Sequence, residues 1–249
     1  NSGNFELLSS YIKAPPNWWD SFFYTLSRYQ DLNTLKKVYR LREKSSVVIN
    51  DKERSYFVNR LIKDKQWLMA LNHWKEGLDA SQKQLFVNGL YDGGFEIGEF
   101  NNSFGWFRIS HKSIEITPQY TYGAVGLKAL KIYFKQGNKR IKFKHLSQRT
   151  FLKAGKYKLK FRARLDTLKN RKGLVWRVYC LSGETRAIAE SEPLKGKRTW
   201  KDYFLDFRVA SSCKEQKITL EAASRFDHDH VFSGQLWLDD VALVPQGIK

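Results

Sequence analysis

A regular alternation of apolar and charged residues constrains the fold of this chain more than any other feature. From Tyr157 to Arg164 every second residue is apolar and the others are Lys or Arg. Successive side chains of a strand point to opposite faces, so this period predicts strands with one buried and one solvated face. The pattern recurs over residues 130–135, 174–180, 203–209 and 217–222, with Gly-, Asn- and Lys-rich turns between. About eight to ten such strands are typical of a jelly-roll sandwich.

Residues 1–86 have a different pattern, in which apolar residues recur every three or four positions. Trp18, Phe22, Leu26 and Tyr29 have the spacing that one buried helix face requires. N-caps are predicted at Asn17, at Asp31, and at Asn50 or Asp51. A fourth helix is predicted to bury Ala70, Leu71, Trp74 and Leu78. These helices make two predicted hairpins.

The two hairpins repeat at an offset of 32 residues, which aligns Tyr24 with Tyr56 and Arg28 with Arg60. This spacing resembles the tetratricopeptide period of about 34 residues, and the resemblance implies a protein partner for the helices. The predicted fold class is α+β multidomain. Residues 1–86 form a tetratricopeptide-like helical domain, and residues 87–249 form an all-β antiparallel jelly-roll sandwich.

Two short motifs bracket the strand-rich region, and both are predicted to be strands. One is Asp92-Gly93-Gly94-Phe95-Glu96, followed by Trp106; the other is Leu236-Trp237-Leu238-Asp239-Asp240-Val241. Between them lie Phe151-Leu152-Lys153-Ala154-Gly155-Lys156-Tyr157 and Trp200-Lys201-Asp202-Tyr203-Phe204. In order and spacing these motifs resemble those of carbohydrate-binding modules of the galactose-binding-like jelly-roll type. The resemblance implies a glycan ligand, as in bacterial exopolysaccharide-associated proteins, and bracket motifs that lie close together.

The carboxylates of the bracket are candidate metal ligands. The resembled modules hold a structural calcium near their joined termini, and the matching positions here are Glu96 and Asp239 or Asp240. Calcium takes several oxygen ligands, often including carboxylates. The alternative is that Glu96 is solvated or paired with a lysine and that the aspartates simply end a strand.

Positive charge is concentrated in residues 128–172, which contain 17 Lys or Arg residues and a single acid, Asp166. The candidate ligand-binding cations on one strand are Lys158, Lys160, Arg162 and Arg164. Like charges that face each other destabilise a sheet by roughly 0.2–1 kcal/mol per pair. A face that retains this repulsion is predicted to bind an anionic ligand, and the alternative is a solvated face whose long side chains splay apart.

Aromatic rings are further candidates, because the C–H groups of sugar rings stack on electron-rich π-faces. The available rings are Trp106, Trp176, Trp200, Trp237, Tyr120, Tyr122, Tyr133 and Tyr179. Trp106 and Trp176 are predicted to lie in the core. Tyr133, Tyr179 and Arg177 fall on the polar phase of their strands and complete the predicted ligand-binding set.

Charge and cysteine usage indicate partners and compartment. The net charge of +19 favours an anionic partner, and solubility in a lysine-rich proteome is the alternative. Cys180 and Cys213 are either a disulfide or two free thiols. A disulfide would suit a periplasmic or secreted bacterial protein. No apolar run reaches the ~18 residues of a transmembrane helix, and no recognised nucleic-acid motif is present.

Signature motifs of common enzyme classes are absent: the sequence has no Gly-x-Ser-x-Gly elbow, no Walker loop and no His-Glu-x-x-His. We therefore predict a non-catalytic glycan-binding scaffold of bacterial polysaccharide biosynthesis or export, with an anionic polysaccharide on the jelly roll. One alternative is a purely protein–protein interaction module. Another is a polysaccharide lyase or other carbohydrate-active enzyme that uses Tyr133, His145 and Arg162.

Overall fold

The computed structural model describes residue 8 and residues 10–135, 140–182 and 186–247. The chain divides into two compact units, Asn1–Ala80 and Ser81–Lys249. This division lies slightly before the boundary predicted between residues 86 and 87. No helix among the described residues is long and apolar enough to cross a lipid bilayer.

The first unit contains helices α1 (Trp19–Tyr29), α2 (Leu32–Glu43), α3 (Asp51–Lys63) and α4 (Trp67–Glu76), and α5 (Ala80–Gln84) follows at its border. The Asp31 carboxylate accepts hydrogen bonds from two backbone N–H groups of α2, as predicted. Asn50 and Glu53 form a capping box at the start of α3. The first residues of α1 and α3 are 51 − 19 = 32 positions apart, which agrees with the sequence repeat. The relation to tetratricopeptide arrays stays a prediction.

The buried face of α1 differs by one position from the predicted face. The helix begins at Trp19, with Trp18 rather than Asn17 in the N-cap position, and it buries Trp19, Phe23 and Leu26. Trp18 is 48% exposed and Tyr29 is 74% exposed. The prediction was wrong because Trp18-Trp19 and Phe22-Phe23 are adjacent aromatic pairs, so the helical period fits either phase.

An ion pair lies inside this helical unit. Arg42 and Glu53 are each 1% exposed, and the Arg42 Nε atom lies 2.8 Å from Glu53 Oε1. The indole N–H of Trp19 donates to the same carboxylate. Glu53 thereby connects α1, α2 and α3 at one point.

The second unit is a sandwich of two five-stranded antiparallel sheets with a separate short hairpin. Its strands are β1 (Phe86–Val87), β2 (Leu90–Tyr91), β3 (Phe107–Arg108), β4 (Ile114–Tyr120), β5 (Lys128–Phe134), β6 (Leu146–Thr150), β7 (Gly155–Lys169), β8 (Leu174–Cys180), β9 (Ala187–Glu190), β10 (Gly196–Val209), β11 (Gln216–Ala222) and β12 (Ser233–Gln246). Sheet I has the order β10-β7-β12-β5-β4, and sheet II has the order β3-β6-β11-β8-β9. The predicted antiparallel sandwich is confirmed.

The core of the sandwich lies between the two sheets. The apolar phase of β7, from Tyr157 to Leu165, points inward, and Trp176 of β8 meets it from the other sheet. Trp106 is 1% exposed and packs against Trp176, as predicted. Cys180 and Cys213 form a disulfide, with a Cα–Cα distance of 5.7 Å, which decides between the two alternatives for these residues.

The first bracket motif is a turn and not the predicted strand. Asp92 and Phe95 have φ angles of 48° and 58°, which a strand does not contain. The backbone N–H of Val241 donates to the Gly93 carbonyl at 2.9 Å, so the two motifs do meet. A Cβ atom on Gly93 would lie 1.9 Å from the Val241 oxygen, and this junction therefore requires glycine.

Candidate functional site

Aromatic rings and cations form a continuous row across the outer face of sheet I. Arg164 of β7 lies between two indoles, 5.4 Å from the Trp200 ring centre and 4.8 Å from that of Trp237. Lys131 of β5 lies 5.8 Å from the Trp237 ring and 5.6 Å from the Tyr133 ring. The strand register explains the order, since Trp237 pairs with Arg164 on one side and with Lys131 on the other. Four strands about 4.8 Å apart make a row roughly 14 Å long.

The four cations predicted on β7 share this face, but each has an aspartate partner. The pairs are Lys158–Asp206 at 3.8 Å, Lys160–Asp240 at 2.7 Å, Arg162–Asp202 at 3.3 Å and Arg164–Asp166 at 3.2 Å. The prediction that these cations repel one another without compensation is therefore wrong. Strand pairing supplies most of these acids, since Asp202 and Asp206 lie on β10 and Asp240 on β12, far away in the sequence.

Lys131 differs from the β7 cations, because its contacts on this face are with rings. Its Nζ atom lies near Tyr133 and Trp237, and no carboxylate oxygen of the described residues lies within 4.0 Å of it. Its cross-strand neighbour on β4 is Thr117, an uncharged residue. Lys131 is thus a partly exposed cation whose charge an incoming anion could pair with.

Arg177 and Tyr179 lie on the outer face of the opposite sheet, sheet II. Arg177 is 9% exposed and its Nε atom lies 2.5 Å from Glu190 Oε2. The Tyr179 hydroxyl donates to Glu221, and burial together with this bond raises the pKa of Tyr179 to about 12. The predicted ligand-binding residues therefore do not form one surface, because Tyr133 and the β7 cations belong to the other face of the sandwich.

A loop between β4 and β5, residues 121–127, covers part of the outer face of sheet I, and we refer to it as the Tyr122 loop. The Tyr122 carbonyl accepts hydrogen bonds from Trp200 Nε1 at 3.0 Å and from Arg164 Nη1 at 3.3 Å. The Tyr122 side chain itself is 97% exposed. The sequence prediction included Tyr122 and Trp200 as available rings without selecting them, although the Gly123 turn signal after Tyr122 could have indicated an exposed loop.

The bracket carboxylates, which are the predicted calcium ligands, each accept a hydrogen bond. Glu96 Oε1 accepts the backbone N–H groups of Leu127 and Lys128, and Asp239 Oδ2 accepts that of Val125. Asp240 instead accepts a hydrogen bond from the Lys160 ammonium group. The three carboxylates thus each have a hydrogen-bond donor of their own among the described residues, and calcium binding by them stays a prediction.

One group of three potential metal ligands does converge within the described residues, in the helical unit. His73 Nδ1 lies 3.3 Å from Glu43 Oε1 and 3.0 Å from Glu76 Oε2. Arg54 Nη1 lies 3.7 Å from the same Glu76 oxygen. Because the Arg54 guanidinium already supplies positive charge to these carboxylates, we interpret the group as a polar network.

Comparison with known proteins gives structural similarity without a family assignment. No family profile matches the chain, and no curated protein matches it. The solved structures similar to it include TmCBM61 in complex with β-1,4-galactotriose, with 23% identity, 64% of this chain and 99% of that chain covered, and a TM-score of 0.42.

Two further similar structures are family 22 modules. The C-terminal family 22 carbohydrate-binding module of Clostridium thermocellum Xyn10B has 13% identity, covers 69% of this chain and 99% of its own, and has a TM-score of 0.40. The CBM22-1 xylan-binding domain of Paenibacillus barcinonensis Xyn10C has 12% identity, covers 61% and 91%, and has a TM-score of 0.40. Because these TM-scores are low, the evidence for the sandwich is the strand order and register of this chain itself.

Proposed function

We propose that this protein is a non-catalytic polysaccharide-binding protein whose ligand lies across the outer face of sheet I. The observation that carries the proposal is the row from Trp200 through Arg164, Trp237 and Lys131 to Tyr133. The partly exposed rings of Trp200 and Tyr133 offer faces for sugar C–H groups, whereas Trp237 is 6% exposed and supports the Arg164 and Lys131 side chains. The Arg164 guanidinium offers hydrogen-bond donors to hydroxyls. A long row of such groups on an open face suits an extended chain better than a single small molecule.

The ligand we propose is anionic, and Lys131 is the residue we assign to its charge. The β7 cations already face aspartates, so they add little net charge to the face. Lys131 lies at the β5 end of the row, near the rings of Tyr133 and Trp237. A carboxylate or sulfate of the glycan would pair with it while the neighbouring sugar rings contact the rings of Tyr133 and Trp200.

The wider setting we propose is bacterial polysaccharide biosynthesis or export, with a protein partner bound by the helical unit. Exposed aromatic side chains on that unit, Trp18 and Tyr29, support a protein contact. The Cys180–Cys213 disulfide supports a periplasmic or secreted location, since such bonds persist in oxidising compartments.

A polysaccharide lyase is a less well supported alternative. Tyr133 and Arg162 lie on the outer face of sheet I, whereas His145 precedes β6 of sheet II and packs against Phe143 and His111. Burial lowers the pKa of His145 to about 4, so its imidazole is neutral at neutral pH. The positions of these residues favour binding over a shared catalytic centre.

The proposal is tested with an array of acidic and neutral polysaccharides at low and high ionic strength. We expect the wild-type protein to bind an acidic polysaccharide, and Lys131→Met to weaken this binding roughly tenfold, as expected for loss of one charge-assisted contact. Lys144→Met is the control on the opposite sheet, where Lys144 lies over the Tyr179 ring and pairs with Glu221 at 3.4 Å. Failure to bind any polysaccharide at low salt would refute the proposal, and release of new reducing ends would establish the enzyme instead.

A further inference from the structure

Glu96 and the end of the Tyr122 loop are joined by several hydrogen bonds. Glu96 Oε1 accepts the N–H groups of Leu127 at 2.9 Å and Lys128 at 3.3 Å, and the Lys128 ammonium group donates to the Glu96 carbonyl at 2.8 Å. Gly126 has a φ angle of 86°, and a Cβ atom there would lie 2.2 Å from Glu96 Oε1. The positive φ angle favours glycine at this position, where the backbone lies close to the carboxylate.

Asp239 holds the same loop from the sheet below it. Its side chain is fully buried on the outer face of sheet I, where Trp237 of the same strand is also buried. Its Oδ2 atom accepts the Val125 N–H at 2.6 Å, and its Oδ1 atom accepts the Asp240 N–H at 2.7 Å. A buried carboxylate requires such partners, and bonds to ionised acceptors are among the stronger hydrogen bonds.

The first half of the loop is attached by its carbonyl groups. Trp200 Nε1 and Arg164 Nη1 donate to the Tyr122 carbonyl, and Arg162 Nη1 donates to the Gly123 carbonyl at 3.4 Å. The loop therefore meets hydrogen-bond donors at one end and carboxylates at the other. An exposed ring on a loop held at both ends can contact a ligand without a large loss of conformational entropy.

We propose that Glu96 and Asp239 are positioning residues, which hold the Tyr122 loop directly through its backbone N–H groups. Tyr122, held beside Trp200, is the specificity-determining ring at one end of the ligand row. This inference rests on the proposed function for the role of Tyr122, whereas the anchoring itself can be measured without a ligand.

The anchoring is tested by hydrogen exchange of the loop peptide in the full-length protein. We expect Glu96→Gln and Asp239→Asn to accelerate exchange over residues 121–128 roughly tenfold or more, since each removes a charged acceptor. Asp206→Asn is the matched control, because the Asp206 carboxylate on β10 pairs with Lys158 of β7 and not with the loop. Exchange that is unchanged in both variants, or that calcium slows and a chelator speeds up in the wild-type protein, would overturn the proposal.

The role of Tyr122 is tested by affinity for the acidic polysaccharide that the array identifies. Tyr122→Ala should weaken binding roughly tenfold, as loss of a stacked ring does, while Tyr29→Ala, at an exposed ring of the helical unit, should not. Asp239→Asn should weaken binding in the wild-type background and have no further effect in the Tyr122→Ala background, because it acts through that ring. Additive effects would overturn the positioning role. A wild-type protein that binds no polysaccharide would refute the proposed function, and the exchange data would still decide the anchoring.

Discussion

Replacing Glu53 with alanine should destabilise the helical unit severely. The Glu53 carboxylate accepts hydrogen bonds from Arg42 Nε at 2.8 Å, from Arg42 Nη2 at 2.9 Å, from Trp19 Nε1 and from the Asn50 N–H at 3.1 Å. Removing one member of a buried ion pair costs about 3–5 kcal/mol, because the other charge is left without compensation. Loss of the capping box adds about 1 kcal/mol. A unit of this size has a total stability of about 4–12 kcal/mol, so most of it would be lost.

The assay is urea denaturation of the full-length protein, in which far-UV circular dichroism follows the helices. The double variant Arg42→Met/Glu53→Leu is the matched control, because it removes both charges and should recover most of the stability. Glu76→Ala, at an exposed carboxylate, should change stability by less than about 1 kcal/mol. The reasoning is refuted if Glu53→Ala costs less than about 1 kcal/mol, or if the double variant is as unstable as Glu53→Ala.

Two further predictions concern the sandwich. Reduction of the Cys180–Cys213 disulfide, whose cysteines are 33 positions apart, should lower the free energy of unfolding by about 4 kcal/mol, measured by urea denaturation with and without reductant; a loss below about 1 kcal/mol would contradict this. Burial raises the pKa of Asp239 from 3.8 to about 6. Protonation of Asp239 therefore stabilises the folded state. This contribution is fully present below pH 3.8 and is lost as the pH rises through about 6. Asp239→Asn should remove that pH dependence from the unfolding curves, and identical pH profiles for the two proteins would count against it.

The strands could be predicted from the sequence, but their assignment to a sheet could not. The alternation along β7 and β8 identifies the inward residues correctly, including Phe161 and Trp176. The same alternation gives Tyr133 and Tyr179 the same polar phase. Only the hydrogen-bonded order of the strands shows that Tyr133 faces outward from sheet I and Tyr179 from sheet II. That order depends on contacts between residues distant in sequence.

The candidate site was predicted less completely than the fold, for two physical reasons. The aspartate partners of the β7 cations come from other strands, so composition within residues 128–172 could not reveal them. The turn at Asp92 and Phe95 depends on positive φ angles, which the alternating pattern of a strand does not predict. Lys131 and Tyr122 could be named from the sequence as a cation and a ring, but the contact of Lys131 with Trp237 depends on the register of β5 and β12.

Calorimetric titration of an acidic polysaccharide into two variants tests the central claim most directly. Trp200 lies at one end of the row on sheet I, and Phe107, 50% exposed on β3 of sheet II, is the control ring on the other face. We predict that Trp200→Ala lowers the affinity at least roughly tenfold, as loss of a stacking ring does, and that Phe107→Ala binds like the wild-type protein. Loss of binding in Phe107→Ala with full affinity in Trp200→Ala would contradict a ligand site on the outer face of sheet I.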